Sequence, residues 1–206
     1  IPTNIIFDGG NSMYCAGETA RSLLTAAYGW IITDGGIDCG APELPFITKW
    51  VVLAGETITI PTLGSGYDYN VDWSYDVSVG FNADSSHVTG NVTSPVLTAG
   101  EHIIAIMGDF PRIFFNNNGD KDKLTEIVQW GTNPWTTMDR AFAGCSNLNI
   151  TNPDVGVPNL SLVTDMSRMF NKATSFNGDI GDWDVSTVTN MPYLFALCRV
   201  FDQNLS

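Results

Sequence analysis

Val163-Thr-Asp-Met-Ser-Arg-Met-Phe170 returns as Val188-Thr-Asn-Met-Pro-Tyr-Leu-Phe195, an offset of 25 residues. The register holds beyond this core, since Phe176 maps to Phe201, Asp179 to Asn204 and Ile180 to Leu205. A third copy lies upstream at an offset of 28, where Trp135-Thr-Thr-Met138 precedes Phe142 and Leu148 matches Phe176. The surplus falls in a loop containing Pro153 and Pro158, and Trp130 and Trp183 each stand eight residues before a repeat methionine. A unit this short cannot bury its own apolar face, so the pattern predicts a solenoid in which stacked units share one core. Within a unit, Met166, Met169 and Phe170 are spaced i, i+3, i+4, which predicts a short helical turn. Trp183 to Ser186 reads as a short strand. The stripe Met138, Phe142, Leu148, Met166, Phe170, Phe176, Met191, Phe195 and Phe201 is then the repeat core.

The stretch VTDMSRMFNKATSFNGDIGDWDVSTVTNM, from Val163 to Met191, resembles the BspA-type leucine-rich repeat of bacterial surface proteins in its short form. The resemblance runs from about Leu124 to Ser206. It implies a cell-surface or secreted protein, of a kind frequent in Bacteroidota and mycoplasmas, acting in adhesion and host or matrix contact. It implies no catalytic residues.

Gly17 to Tyr28 reads as an amphipathic helix, with Ala20, Leu23, Leu24 and Ala27 on one face and Gly29 as its stop. Tyr14-Cys15 precedes it, and a strand from Trp30 leads to Cys39. This order resembles the α/β cap that closes a BspA-type repeat block, so residues 1–41 are expected to cap a preceding block. Solenoid ends need caps, because an open end exposes apolar surface and strand edges. The chain then reads as a window onto a longer tandem protein. In an exported protein a Cys15–Cys39 disulfide is expected, stabilising the cap by roughly 3 kcal/mol in the chain-entropy model. Cys145 and Cys198 share one repeat position, two units apart, with Ala173 between them. At a strand spacing near 4.8 Å they stand about 9.5 Å apart, beyond the roughly 7 Å reach of a disulfide. They are expected to be buried free thiols.

From about Phe46 to Pro111 the sequence alternates with period two. Tyr67, Tyr69, Val71 and Trp73 face one way, with Asp68, Asn70 and Asp72 opposite. Ile58 and Ile60 alternate with threonines, and Val77, Val79 and Phe81 continue the pattern. Gly and Pro punctuation sets the strands at sandwich-like intervals. YNVDWSYD and LTAGEHIIAI resemble strands of PKD-type β-sandwiches, with Ser74-Tyr75 in place of the usual Gly-Asp. The expected fold is therefore mainly β with short helices. A PKD/Ig-like β-sandwich at 42–112 follows the 1–41 cap, and about three BspA-type leucine-rich repeats, the last truncated, occupy 113–206. Phe110 to Phe115 forms a stiff junction between the last two.

Nine Lys and Arg stand against 22 Asp and Glu, a net charge of −13, which excludes a nucleic-acid footprint and disfavours anionic membrane. No run is apolar and long enough to span a bilayer. Abundant Asn, Thr, Ser and Gly with few lysines fit an extracellular β protein, so the expected location is the outer surface of a bacterium. No C-x-x-C or suitable His spacing indicates zinc, and no cofactor is expected. Calcium has one weak candidate, the Asn116, Asn118, Asp120, Asp122 stretch, whose order does not fit an EF-hand and which also reads as an Asn-rich turn. The two histidines, His87 and His102, sit in no catalytic motif, and no nucleophile elbow or P-loop occurs, so no enzyme is expected.

The function these residues support is a non-enzymatic adhesin or surface fibre. Its partners are neighbouring modules of the same chain, and surface glycans or host and matrix proteins. The alternative is a discrete carbohydrate-type binding module, which needs exposed aromatic faces. Trp50, Trp130, Trp135 and Trp183 are the candidates, although Trp130 and Trp183 recur in register as core residues do.

Overall fold

The computed structural model describes residues 2–8, 24–33, 43–152 and 155–205. The chain is mainly β and divides into two compact units, Ile1–Glu43 and Leu44–Ser206.

In the first unit, β1 (Ile6–Asp8) pairs in parallel with β2 (Ile31–Thr33). Residues 24–28 are helical, as the amphipathic pattern predicts for that part, and 17–23 lie outside the described residues. Gly29, at φ +65°, ends the helix, and the Trp30 N–H donates to the Leu24 carbonyl at 3.1 Å. That is the six-to-one bond of a glycine-terminated helix, and it satisfies a carbonyl that the helix leaves open. Cys15 and Cys39, and hence their expected disulfide, lie outside the described residues.

The second unit begins with a five-stranded antiparallel sheet in the order β6-β5-β8-β3-β9. These are β3 (Phe46–Val52), β5 (Asp68–Asp72), β6 (Ser85–Val88), β8 (Gly100–Asp109) and β9 (Leu124–Gln129). A smaller sheet, β4 (Thr59–Ile60) with β7 (Val92–Thr93), shares its apolar core. The period-two reading holds on β5 and its flanks, where Tyr67, Tyr69, Val71 and Trp73 are all buried. It fails just beyond. Val77 and Val79 are 85% and 77% exposed, on a loop rather than a strand. The cause is Asp72, whose buried carboxylate accepts the Ser74 and Asn82 amides at 3.0 and 2.8 Å and turns the chain outward.

The last strand, β9, comes from the region that the sequence assigned to the repeats. It pairs antiparallel with β3, through Lys49↔Glu126 among others. Its other edge forms a parallel bridge, Glu126↔Asn149, in which the Ile127 N–H donates to the Asn149 carbonyl and the Asn149 N–H to Thr125. The sheet and the region after it are thus bonded through a shared strand, and the 112/113 boundary does not separate them. One apolar cluster runs from Phe46 to Trp183.

Beyond β9 the chain is a series of turns whose equivalent positions bond to one another. The N–H groups of Met138, Arg140, Phe142 and Gly144 donate to the carbonyls of Asp165, Ser167, Met169 and Asn171 at 2.7–2.9 Å. Those of Met166, Arg168, Phe170 and Lys172 donate to Asn190, Pro192, Leu194 and Ala196 at 2.8–3.0 Å. The intervening amides fold back instead, Ala141 to Met138 and Ala143 to Arg140. This alternation requires left-handed residues at fixed places. Arg140, Arg168 and Tyr193 have φ of 53°, 55° and 61°, and Gly144, Lys172 and Leu197 have 85°, 62° and 64°. The expected helical turn at Met166–Phe170 is therefore not formed, because a left-handed Arg168 cannot sit in a right-handed helix. Nor is Trp183–Ser186 a strand, and the bridge forms instead at Asp165↔Asn190.

Equivalent phenyl rings stack in two columns. Phe142, Phe170 and Phe195 follow at 5.8 and 5.9 Å with planes within 12°, and Phe176 and Phe201 at 5.9 Å. Phe115 begins the first column, 6.4 Å from Phe142. Beside them runs a polar ladder, in which Asn149 Oδ1 accepts the Asn177 amide and Asn177 Oδ1 accepts that of Asp202.

Gly144 and Lys172 occupy the same repeat position with opposite tolerance. A Cβ on Gly144 would lie 2.4 Å from Asn117 Oδ1 and 2.8 Å from Asn117 Cα, whereas Lys172 already carries a side chain. We expect Gly144→Ala to lower unfolding free energy by about 2 kcal/mol or more and Lys172→Ala to change it by about 0.5 kcal/mol or less, measured by urea titration.

Lys49 Nζ lies 2.6 Å from Glu126 Oε2, and Thr151 Oγ1 donates to the other carboxylate oxygen. Burial alone would raise the Glu126 pKa, but the bonds from Lys49 and Thr151 outweigh it and hold it below 4.5. A depressed carboxylate contributes stability that is present above its unfolded pKa and is lost as pH falls through the folded one. Lys49 is raised above 10.5, chiefly by its bond to Glu126, so its share is lost only as pH rises past that value. Thermal unfolding from pH 7 to pH 2 should show a shallower acid decline in Glu126→Gln than in the parent.

Candidate functional site

The predicted repeat core is brought together in part. Met138, Phe142, Leu148, Met166, Phe170 and Phe176 are buried, whereas Met191 is 39% exposed and Phe195 and Phe201 are half-buried. These last three lie on an end face with Val185, Leu197 and Leu205, all exposed. The N–H groups of Met191, Tyr193, Phe195 and Leu197, equivalents of the upstream ladder donors, have no backbone partner among the described residues.

The calcium candidates serve the fold. Asp120 Oδ2 accepts the Thr59 amide at 2.8 Å and its Oδ1 lies 2.9 Å from Lys123 Nζ, which ties the loop to β4. Asp122 pairs with Lys121 and accepts the Ser146 hydroxyl at 2.8 Å, and these partners hold its carboxyl below the usual range despite some burial. Asn116 and Asn118 are exposed, Asn116 at φ 47°. No group of three or more metal-binding side chains occurs among the described residues.

All four tryptophans put forward as sugar platforms are buried. Trp50, Trp130 and Trp135 are inaccessible, and Trp183 is 8% exposed. Trp50 Nε1 donates to Thr48 Oγ1 at 2.8 Å, inside the sheet. Trp130 meets Trp135 and Trp183 edge-on, at 6.0 and 5.2 Å. Their indoles fill the joint between sheet and repeats, so stacking on an open tryptophan face has no support among these residues.

The feature that the sequence reading missed lies at the long unit. The three surplus residues sit between Asn149 and Asn177, and Pro158 occupies the position of Trp130 and Trp183. With no tryptophan in that unit, Trp183 packs directly on Trp130 and the 151–157 segment stands away from the stack. A cleft of about 520 Å³ results, lined by Ile150, Thr151, Asn152, Val155, Gly156, Val157, Asn177, Asp179, Asp182, Trp183 and Gln203. The segment is anchored where Trp130 N–H donates to the Val155 carbonyl at 3.1 Å. Opposite it, Asp179 Oδ1 accepts the Gly181 amide at 3.0 Å, and Gln203 Nε2 donates to the Asn177 carbonyl at 2.8 Å. Asp179 and Asp182 were legible only as part of an acidic strip. The available signal was the 28-residue spacing itself, since insertions in repeats map to loops on one face.

Cys145 and Cys198 are free thiols, the first fully buried and the second half-buried in the end unit. Burial pushes the Cys145 pKa well up, and that of Cys198 up to about 11. With the thiolate as the reactive form, we expect Ellman's reagent at pH 8 to label Cys198 slowly and Cys145 only after unfolding.

Residues 109–206, just under half of the chain, match the protein family described as Mycoplasma protein of unknown function, DUF285. The match takes in β9 and all the repeat units, and is a similarity of that part of the chain. No curated protein and no solved structure matches the chain.

Proposed function

We propose that residues 113–206 form a BspA-type leucine-rich-repeat solenoid, that 42–112 form a PKD-like β-sandwich, and that the chain is part of a non-enzymatic, exported bacterial surface protein. Its role is adhesion or structural display, with neighbouring modules, glycans or host proteins as partners. The observation that carries this reading is the agreement between sequence offset and backbone bonding. Positions 28 and 25 residues apart, such as Arg140, Arg168 and Tyr193, share a left-handed conformation and a place in the ladder. Stacking units of this kind extend by adding another, because each exposes the donors and apolar side chains that its successor covers. The end face around Met191 and Leu197 has that chemistry. A net charge of −13 keeps such a repeat protein soluble and apart from anionic membrane. The similarity to a family described from Mycoplasma fits the resemblance, which takes in mycoplasmas, and adds no activity.

The test is made on source cells. Intact cells are treated with a protease that cannot enter them, and the native polypeptide is sized by denaturing gel with peptide mapping. The expected outcome is loss of the protein from unbroken cells, and a chain of many hundreds of residues that yields several near-copies of the repeat peptides. Protection in intact cells would overturn the surface location. A chain little longer than 206 residues would overturn the tandem fibre.

A further inference from the structure

We infer that the cleft beside the 151–157 segment is a binding site for a neutral sugar. The inference rests on the cleft's own chemistry and stands apart from the surface reading. Its volume, about 520 Å³, lies within the range of small-molecule sites, roughly 300–1,000 Å³. One side is apolar, from Ile150, Val155 and Val157, with part of Trp183. The other carries the Asp179 and Asp182 carboxylates and the Gln203 amide. A pyranose has the matching division, with C–H groups on its faces and hydroxyls around its rim.

Other ligand classes fit less well. No Lys or Arg lines the cleft, so an anion would meet only carboxylates. Two carboxylates are too few to hold a divalent cation, which takes six or more oxygen ligands, and no third acidic side chain joins them among the described residues. A purely apolar ligand would strip water from Asp179 and Asp182 without replacing its hydrogen bonds. Hydroxyl groups donate to carboxylates and accept from amides, and so satisfy the polar wall. That wall is already fixed, Asp179 by the Gly181 amide and Gln203 by the Asn177 carbonyl, so little ordering is left for binding to do. The site also explains why one unit departs from the 25-residue spacing. The insertion that opens the cleft gives up a core tryptophan, and a repeat serving only to stack has no use for that exchange.

The test is a titration of the full chain, with labelled methyl groups and indole nitrogens, by maltose, lactose, mannobiose and diacetylchitobiose. The expected outcome is that one or more disaccharides shift the Ile150, Val155 and Val157 methyls and the Trp183 indole N–H, with a Kd of about 1 mM or tighter. Asp182→Ala should weaken that binding at least tenfold, and Val157→Trp, which fills the cleft, should abolish it while the remaining methyl signals keep their dispersion. Leu53→Ala, on an exposed side chain outside the cleft, should leave it unchanged. The proposal is overturned if none of the four sugars moves these signals, or if Asp182→Ala binds as the parent does. It is equally overturned if calcium chloride moves them and the sugars do not.

Discussion

The second unit depends on one strand that is bonded along both edges. β9 completes the antiparallel sheet through β3 and opens the parallel bridging through Asn149. Antiparallel and parallel pairing place their hydrogen bonds differently along a strand, and few residues can serve both. Glu126 does so, opposite Lys49 on one side and bridged to Asn149 on the other. Its carboxylate adds a bond to each neighbour, Lys49 in the sheet and Thr151 in the first repeat segment. Around this strand the aromatic side chains form one continuous packing, with Phe46 from the sheet against Trp130 and Trp135 from the following turns.

What the sequence made legible was position more than conformation. The spacing of Phe142, Phe170 and Phe195 identified the column of rings, because stacking equivalent residues is how a short unit hides its apolar face. The same residues gave the wrong local geometry. An i, i+3, i+4 pattern also arises where alternating right- and left-handed residues send every second amide outward, and only φ at Arg168 distinguishes that from a helix. The role of β9 was hidden for a different reason. Its partner β3 lies some 75 residues upstream, so nothing local marked Leu124–Gln129 as a sheet strand. Val77 and Val79 were misread because alternation continues past Trp73 while the Asp72 carboxylate has already ended the strand.

The cleft shows the same limit from the other side. Its acidic residues were visible and its indole was visible, yet their meeting depends on what is missing from one unit. A tryptophan absent at Pro158 lets Trp183 reach Trp130 and leaves the 151–157 segment outside the stack. A search for motifs looks for residues that are present, whereas a repeat also carries information in the unit that breaks its own rule.

The shared strand has a mechanical consequence. Two modules joined by a peptide linker swivel, and a pull on one first straightens the link and then unfolds the weaker partner. Here a load entering at the sheet passes to the repeats through the backbone bonds on the two sides of β9 and through rings packed across the joint. Sheet and repeats cannot be parted without breaking the core they share, so bending and torque are transmitted as well as tension. Under force, the earliest failure falls between later units, such as Phe170 and Phe195, where four backbone bonds in a row can open together while the junction at β9 is still intact.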